Sequence, residues 1–353
     1  MIVYGILVGL TILTYFIMSS VTRNKDKINK VTTIFFFLGY LLLLCLRSES
    51  IGVDTKWYVQ SFNMMRRMDF QTMLVFSNTE VGFLALEKLI AFFGDTRLLM
   101  VVVAMLVVLP VMYLYEKESR DALLCCSFFL ISLLFEMFFS GMRQSIAIAL
   151  AVPAYYFAKQ QKKLFFVLTV LIAMTFHKSA VVVLLLYPVY HMKITKKILL
   201  AICPLLLFMY LRIDTVFQYI IRFAGDDYES RYAYLTGSSG QMGLTILFIL
   251  LTVYSYIMMD EKKADSDDLG LRNILLLAMC IHLFAPLHPT ISRVNYYFIL
   301  FIPLALSRAN FCCRKSMLQI KAIAAFVMPV YFILHFFFLK ADSLQVFNYK
   351  FFF

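Results

Sequence analysis

The sequence predicts an all-α fold: a polytopic integral membrane bundle of about 12 transmembrane helices. Composition, block length and charge placement predict it. Of 353 residues, 62% are hydrophobic and 15% are charged, where a soluble domain has about half and about a quarter. The mean hydropathy is +0.82. The apolar residues come in blocks of about 15 to 20, the length a helix needs to cross the hydrocarbon layer. Period-two alternation of the kind found in membrane barrel strands is not seen.

The blocks fall at 2–21, 31–46, 98–115, 122–139, 145–158, 164–176, 180–190, 198–211, 243–259, 271–287, 294–307 and 318–339. The first, Ile2 to Val21, lacks a preceding basic stretch and a small-residue cleavage site, so it reads as a retained span. Every second connection is basic: RNKDKINK (23–30), EKESRD (116–121), KQQKK (159–163), HMKITKK (191–197), DEKKADSDDLGLR (260–272) and RANFCCRK (308–315). By the positive-inside rule these face the cytoplasm and both ends of the chain face out. The net charge of +12 is therefore a topology signal, and no nucleic-acid partner is expected. Blocks 145–158, 164–176 and 180–190 are short for a crossing. Either their helices extend into the adjoining turns, or they are half-depth helices lining a polar cavity.

The outward connections differ. The chain reads as one transmembrane domain, 1–353, with two larger outer loops, 47–97 and 212–242. The first carries an amphipathic helix near 81–93; the second, rich in Tyr, Asp, Arg and Ser, is placed over the bundle. Three outer turns are short and hold one fixed cation each: SGMRQ (140–144), HKSA (177–180) and HPTISR (288–293).

Ionisable residues at membrane depth point to function. Arg143 and Gln144 follow Ser140–Gly141–Met142 on the side where basic residues are disfavoured. The competing reading is an arginine snorkelling to lipid phosphate. His177 ends a wholly apolar run and precedes Lys178 and Ser179. An imidazole there can exchange a proton near neutral pH, and an ammonium can serve a phosphate; the bland alternative is a capped helix end. Arg293 follows His288, Pro289, Thr290 and Ser292, and a second guanidinium on the same side as Arg143 suits a diphosphate; the competing reading is a proline-broken turn with an interfacial arginine. In the first outer loop Arg47, Asp54, Tyr58 and Glu80 stand out, with Asp54 and Tyr58 four apart on one helical face. Trp57 and Tyr58 also fit an interfacial aromatic belt.

Seven cysteines, including the adjacent pairs Cys125/Cys126 and Cys312/Cys313, make no disulfide or metal spacing. No P-loop, dinucleotide fingerprint or HExxH is present. Neither metal nor cofactor is expected, so a substrate must carry its own activation.

Arg47, Gly52–Val53–Asp54, Tyr58, Glu80–Val81–Gly82–Phe83, Gly141–Met142–Arg143–Gln144–Ser145–Ile146–Ala147 and His177–Lys178–Ser179–Ala180 occur in this order. This series, over roughly 40–190, resembles the EpsG/Wzy-like family of bacterial polysaccharide polymerases. The resemblance implies a membrane glycosyltransferase joining undecaprenyl-diphosphate-linked repeat units into O-antigen, capsule or exopolysaccharide. It places the enzyme in the inner membrane, working at the outer leaflet. Its partners would be the lipid-linked glycan donor and acceptor and membrane lipid, with a chain-length regulator and a flippase as further candidates. The residues carried over are Arg143, Arg293, Lys178 and Arg47 for the diphosphate, and His177, Glu80 and Asp54 for catalysis. Gln144, Tyr58 and Ser179 are assigned to substrate binding. His177 and Glu80 both stand as candidate bases. Two other readings remain: a lipid-linked oligosaccharide flippase or transporter, which favours midplane charges and repeat symmetry, and a ligase or acyltransferase of surface polysaccharide.

Overall fold

The computed structural model describes residues 1–212, 215, 240–287 and 289–353. Its regular structure is helical; among the described residues only isolated β-bridges occur, one joining Arg47 to Phe351. The chain divides into two compact units, Met1–Val183 with Leu318–Phe353, and Leu184–Met317.

The first unit opens with α1 (Ile2–Val21) and α2 (Lys25–Leu46). Asn24 starts α2 by accepting a hydrogen bond from the Lys27 amide. The segment read as an outer loop holds three helices, α3 (Thr55–Met65), α4 (Phe70–Phe76) and α5 (Val81–Phe93). Next come α6 (Thr96–Glu118), α7 (Ala122–Ile131), α8 (Leu133–Ser140), α9 (Met142–Lys159) and α10 (Lys163–Phe176). Asp95 caps α6 and Asp121 caps α7. The C-terminal helix Leu318–Phe338 packs with α7. Aromatic rings fill the centre: Tyr4, Tyr40, Phe129, Phe135, Phe139 and Phe336 are fully buried, mostly edge to face.

Among the described residues, four helices are long and apolar enough to cross a membrane: α1, α2, α6 and the C-terminal helix. A fifth is the pair α7 and α8, bent by 61°. Shorter apolar helices cover Lys163–Phe176, Lys178–His191, Lys197–Leu211 and Met242–Met258. The protein is a helical membrane protein, but several blocks read as continuous spans are interrupted. Block 122–139 breaks at Ser132, and 294–307 breaks between Ile299 and Ile302. Block 180–190 is a 3-10 turn, Lys178–Leu185, followed by the short α11 (Leu186–His191).

The break at Ser132 has an identifiable stabiliser. The Lys340 ammonium donates to the carbonyls of Leu130 (2.8 Å) and Ser132 (3.0 Å), which the bend frees. It also lies 3.1 Å from Glu136 Oε1, and both side chains are buried. Beyond it the tail threads through the unit. The Val53 amide donates to Leu344 O at 3.1 Å and the Gly52 amide to Gln345 O at 3.3 Å. The Tyr4 hydroxyl donates to Val346 O and the Tyr349 hydroxyl to Leu43 O. The tail thus ties the broken span to the turn before α3.

In the second unit, the helix Ser266–His282 starts in a capping box of Asp265 and Asp268. Asp268 also meets Arg308 at 2.9 Å, and the Tyr190 hydroxyl donates to Asp267 at 2.6 Å. His282 is fully buried with Nδ1 3.2 Å from the Asn295 amide. The expected outer loop 212–242 lies almost wholly outside the described residues, and His288 lies outside them too.

Lys340→Met strands a buried carboxylate and should lower stability by about 3–5 kcal/mol. The double variant K340M/E136L removes both charges and should recover most of the loss, as measured by thermal melting in detergent. A single variant as stable as wild type would show that the buried pair does not hold the bend.

Candidate active site

The end of α8 and the start of α9 meet at Gly141, which places Arg143 in the first turn of α9. A cation there faces the positive end of the helix dipole and requires a compensating anion. Glu80 supplies it. Arg143 Nη1 donates to Glu80 Oε2 at 2.5 Å, and Nε donates to the Tyr58 hydroxyl at 3.4 Å. The guanidinium carbon lies 5.6 Å from the Trp57 ring centre and 5.9 Å from that of Tyr58. The other carboxylate oxygen, Glu80 Oε1, is 3.2 Å from His177 Nδ1 and accepts from the Lys178 amide at 3.4 Å. One carboxylate therefore joins residues 63 and 97 positions away in sequence.

Glu80 is the N-cap of α5 and His177 the C-cap of α10. Their meeting requires these helix ends to approach closely, and Gly82 permits it. A Cβ at Gly82 would lie 2.3 Å from Thr175 Oγ1 and 2.8 Å from Thr175 O, too close for any other residue without displacing α5. A second arm comes from the turn before α3. Gly52 adopts φ +88°, and a Cβ there would lie 2.3 Å from Phe139 O. Thr55 Oγ1 donates to Phe139 O at 3.0 Å. The Asp54 amide donates to Ser140 Oγ, and that hydroxyl donates to Asp54 Oδ2, both at 3.1 Å. Asp54 is thereby fixed two residues before the Met142 start of α9, through Ser140.

Two carboxylates on one face of α5 are held in opposite states. Burial alone would raise Glu80, but the His177 hydrogen bond and the charges of Arg143 and His177 outweigh it and hold it at about 2. Glu87 lies two turns further on; it is 2% exposed and neither oxygen has a hydrogen-bond partner. Burial pushes it up to about 8 against a weaker opposing pull from Arg143. Burial likewise raises Tyr58. Sequence reasoning missed Glu87, although its spacing of seven from Glu80 within an apolar helix was a legible signal. Ser140 was noted only as a neighbour, yet it holds Asp54.

Of the sequence candidates, the structure brings together Glu80, Arg143, His177 and Tyr58, with the Lys178 amide beside them and Asp54 on the adjoining turn. The Lys178 side chain is exposed. Gln144 is buried on α9, and Ser179 sits in the 3-10 turn after His177. Arg47 is only 2% exposed; its Nη1 donates to Phe138 O at 3.3 Å, and its guanidinium lies 5.5 Å from the Phe139 ring centre. A phosphate has no access to it, so the diphosphate role expected for Arg47 gives way to anchoring the end of α8. Arg293 is exposed on the helix Pro289–Ile299 of the second unit. Among the described residues no cluster of three or more His, Cys, Asp or Glu could hold a metal. The assembled groups can bind an anion at Arg143 and move a proton at His177.

The sequence profile of the EpsG family matches residues 4–351, nearly the whole chain, and the chain belongs to that family. No curated protein and no solved structure matches it.

The two α5 carboxylates predict opposite pH effects on stability. An unfolded glutamate ionises near 4.3. Glu80, depressed to about 2, contributes stability that is present above that value and lost as pH falls toward 2. Glu87, raised to about 8, binds a proton that the unfolded chain has already released, so stability falls as pH rises from about 4.3 to about 8. Thermal melting across this range should show that Glu80→Gln removes the acid-side slope. Glu87→Gln should remove the fall between about 4.3 and about 8, because a neutral amide takes up no proton on folding. An equal pH dependence of wild type and E87Q across this range would refute the burial argument for Glu87.

Proposed function

We propose that this member of the EpsG family is a membrane polymerase of surface polysaccharide. It transfers a glycan from one undecaprenyl diphosphate to a hydroxyl of another lipid-linked repeat unit, at the outer leaflet of the inner membrane. The observation that carries this reading is the Glu80 carboxylate bridging Arg143 and His177. It sets a guanidinium suited to phosphate beside an imidazole suited to proton transfer.

In this reading the acid–base roles divide between His177 and Glu80. A carboxylate held at about 2 is a weak base, so Glu80 is the orienting group. An ionised Glu80 accepts, so His177 Nδ1 carries the proton between them and Nε2 is left as the acceptor. In the proposed step Nε2 takes the proton of the acceptor hydroxyl, whose oxygen attacks the anomeric carbon of the donor. The bond from that carbon to the diphosphate oxygen breaks, and the lipid diphosphate departs with the electron pair. Arg143 neutralises the charge that develops on it, with the exposed ammonium of Lys178 nearby along the chain. A guanidinium has five N–H donors, and the contacts to Glu80 and Tyr58 use one each. Asp54, fixed through Ser140, is placed to bind a substrate hydroxyl. Arg47, buried against Phe138 and Phe139, is left to anchor the end of α8.

Polymer length tests the reading. A strain lacking the chain should accumulate single repeat units, and complementation with wild type should restore ladders on a gel. Arg143→Ala and His177→Ala should each lower chain extension by roughly 10²–10⁴-fold. Glu80→Gln should fall in the same direction, because it removes the group that orients His177. Normal ladders in the deletion strain would refute a polymerase. Loss of single units from the outer leaflet would instead indicate a flippase.

A further inference from the structure

The chain has one tryptophan, Trp57, and its placement differs from that of a membrane-belt residue. It is 50% exposed, while Tyr58 beside it is 5% exposed. The exposed positions around it are mixed: Lys56, Gln60 and Asn63 are hydrophilic, while Val53 and Met64 are 49% and 56% exposed. A belt tryptophan stands among lipid-facing apolar side chains alone; this one is also packed against a buried tyrosine and a guanidinium. Its covered edge is fixed by the site. The Tyr58 ring meets it edge-on at 5.1 Å and 77°, and the Arg143 guanidinium lies 5.6 Å from its centre. Asp54, at the N-cap of α3, is three residues before it and lies on the same face.

We propose that Trp57 is the platform of a saccharide subsite, on which the sugar bonded directly to the diphosphate stacks while Arg143 holds the phosphate. The inference rests on the diphosphate assignment made above for Arg143 and extends it to the donor sugar. A pyranose presents a face of C–H groups edged by hydroxyls, so a half-exposed indole can cover the face while a neighbouring carboxylate accepts from the rim. Trp57 and Asp54 supply these two groups. In a glycosyl diphosphate the sugar and the anion are joined through one oxygen. The ligand must therefore place an apolar ring face next to a negative charge, and the indole has the guanidinium as its neighbour, 5.6 Å from the ring centre. Stacking here also points the anomeric carbon toward Arg143, whose partner Glu80 holds His177.

Because Trp57 is the sole tryptophan, its emission reports this subsite alone. The probes are lipid-linked repeat units extracted from a strain lacking the chain, and bare undecaprenyl diphosphate. Both are added to purified full-length protein in the same detergent, with binding followed in parallel by competition against radiolabelled repeat units. The repeat units should shift the emission to the blue and change its intensity, and the bare lipid should do neither. Trp57→Ala should weaken binding of repeat units by roughly ten-fold, the order of one aromatic stacking contact. It should leave binding of the bare lipid unchanged, and W57F should lie between. Equal affinity of W57A and wild type for repeat units overturns the subsite. So does an emission change of equal size with the bare lipid, which would make Trp57 a lipid contact. Failure of the diphosphate reading looks different: Arg143→Ala would then bind both probes as wild type does.

Discussion

A carboxylate withdrawn from water is stable only when its charge is answered from close by. At Glu80 the answer comes from two directions, Arg143 on one oxygen and His177 on the other. The consequence is structural before it is chemical. Glu80 begins α5, Arg143 begins α9 and His177 ends α10, so one side chain fixes three helix ends. Ends are where helices carry unpaired backbone groups and where their positions are softest. An ion bridge at that point sets their separation more firmly than apolar contact along their flanks. Gly82 belongs to the same constraint, because without its missing side chain the carboxylate could not reach His177.

The other arm of the site depends on a helix that stops midway. At Ser132 the chain turns by 61° and gives up backbone hydrogen bonds, which in a membrane protein must be met by protein groups. Lys340 meets them, and Glu136 neutralises the charge this brings in. The bend lets α8 deliver Ser140 and Gly141 to the turn carrying Asp54. The same tail that supplies Lys340 also receives the amides of Val53 and Gly52. Both sides of the Asp54–Ser140 contact are thus held by one short segment between Lys340 and Gln345. An uninterrupted span 122–139 would have carried Ser140 past this turn.

What the sequence disclosed follows from this physics. Arg143 and His177 were visible singly as a charge and a proton carrier beside apolar runs, and Glu80 as a notable acid of the first outer loop. Their union was not visible, since the partners lie 63 and 97 residues from Glu80 and no local period encodes such a pairing. Arg47 shows the limit from the other side. By composition it looks like Arg143, but it ends inside the protein against Phe139 and the Phe138 carbonyl, and only packing distinguishes the two. The helical class was legible from block length alone. The number of full-length spans was not, because breaks such as Ser132 fall inside blocks whose hydropathy never drops.

The ion bridge also bears on how the proposed site would keep its geometry with a donor bound. Glu80 uses one oxygen for Arg143 and the other for His177. A diphosphate competing for the guanidinium would leave the His177 contact in place, so the imidazole would stay oriented by the same carboxylate. Glu87, buried on the same helix face and holding its own proton up to about 8, adds no second negative charge there. The two α5 carboxylates divide the electrostatic work: one is ionised and shared between two partners, the other is neutral and silent.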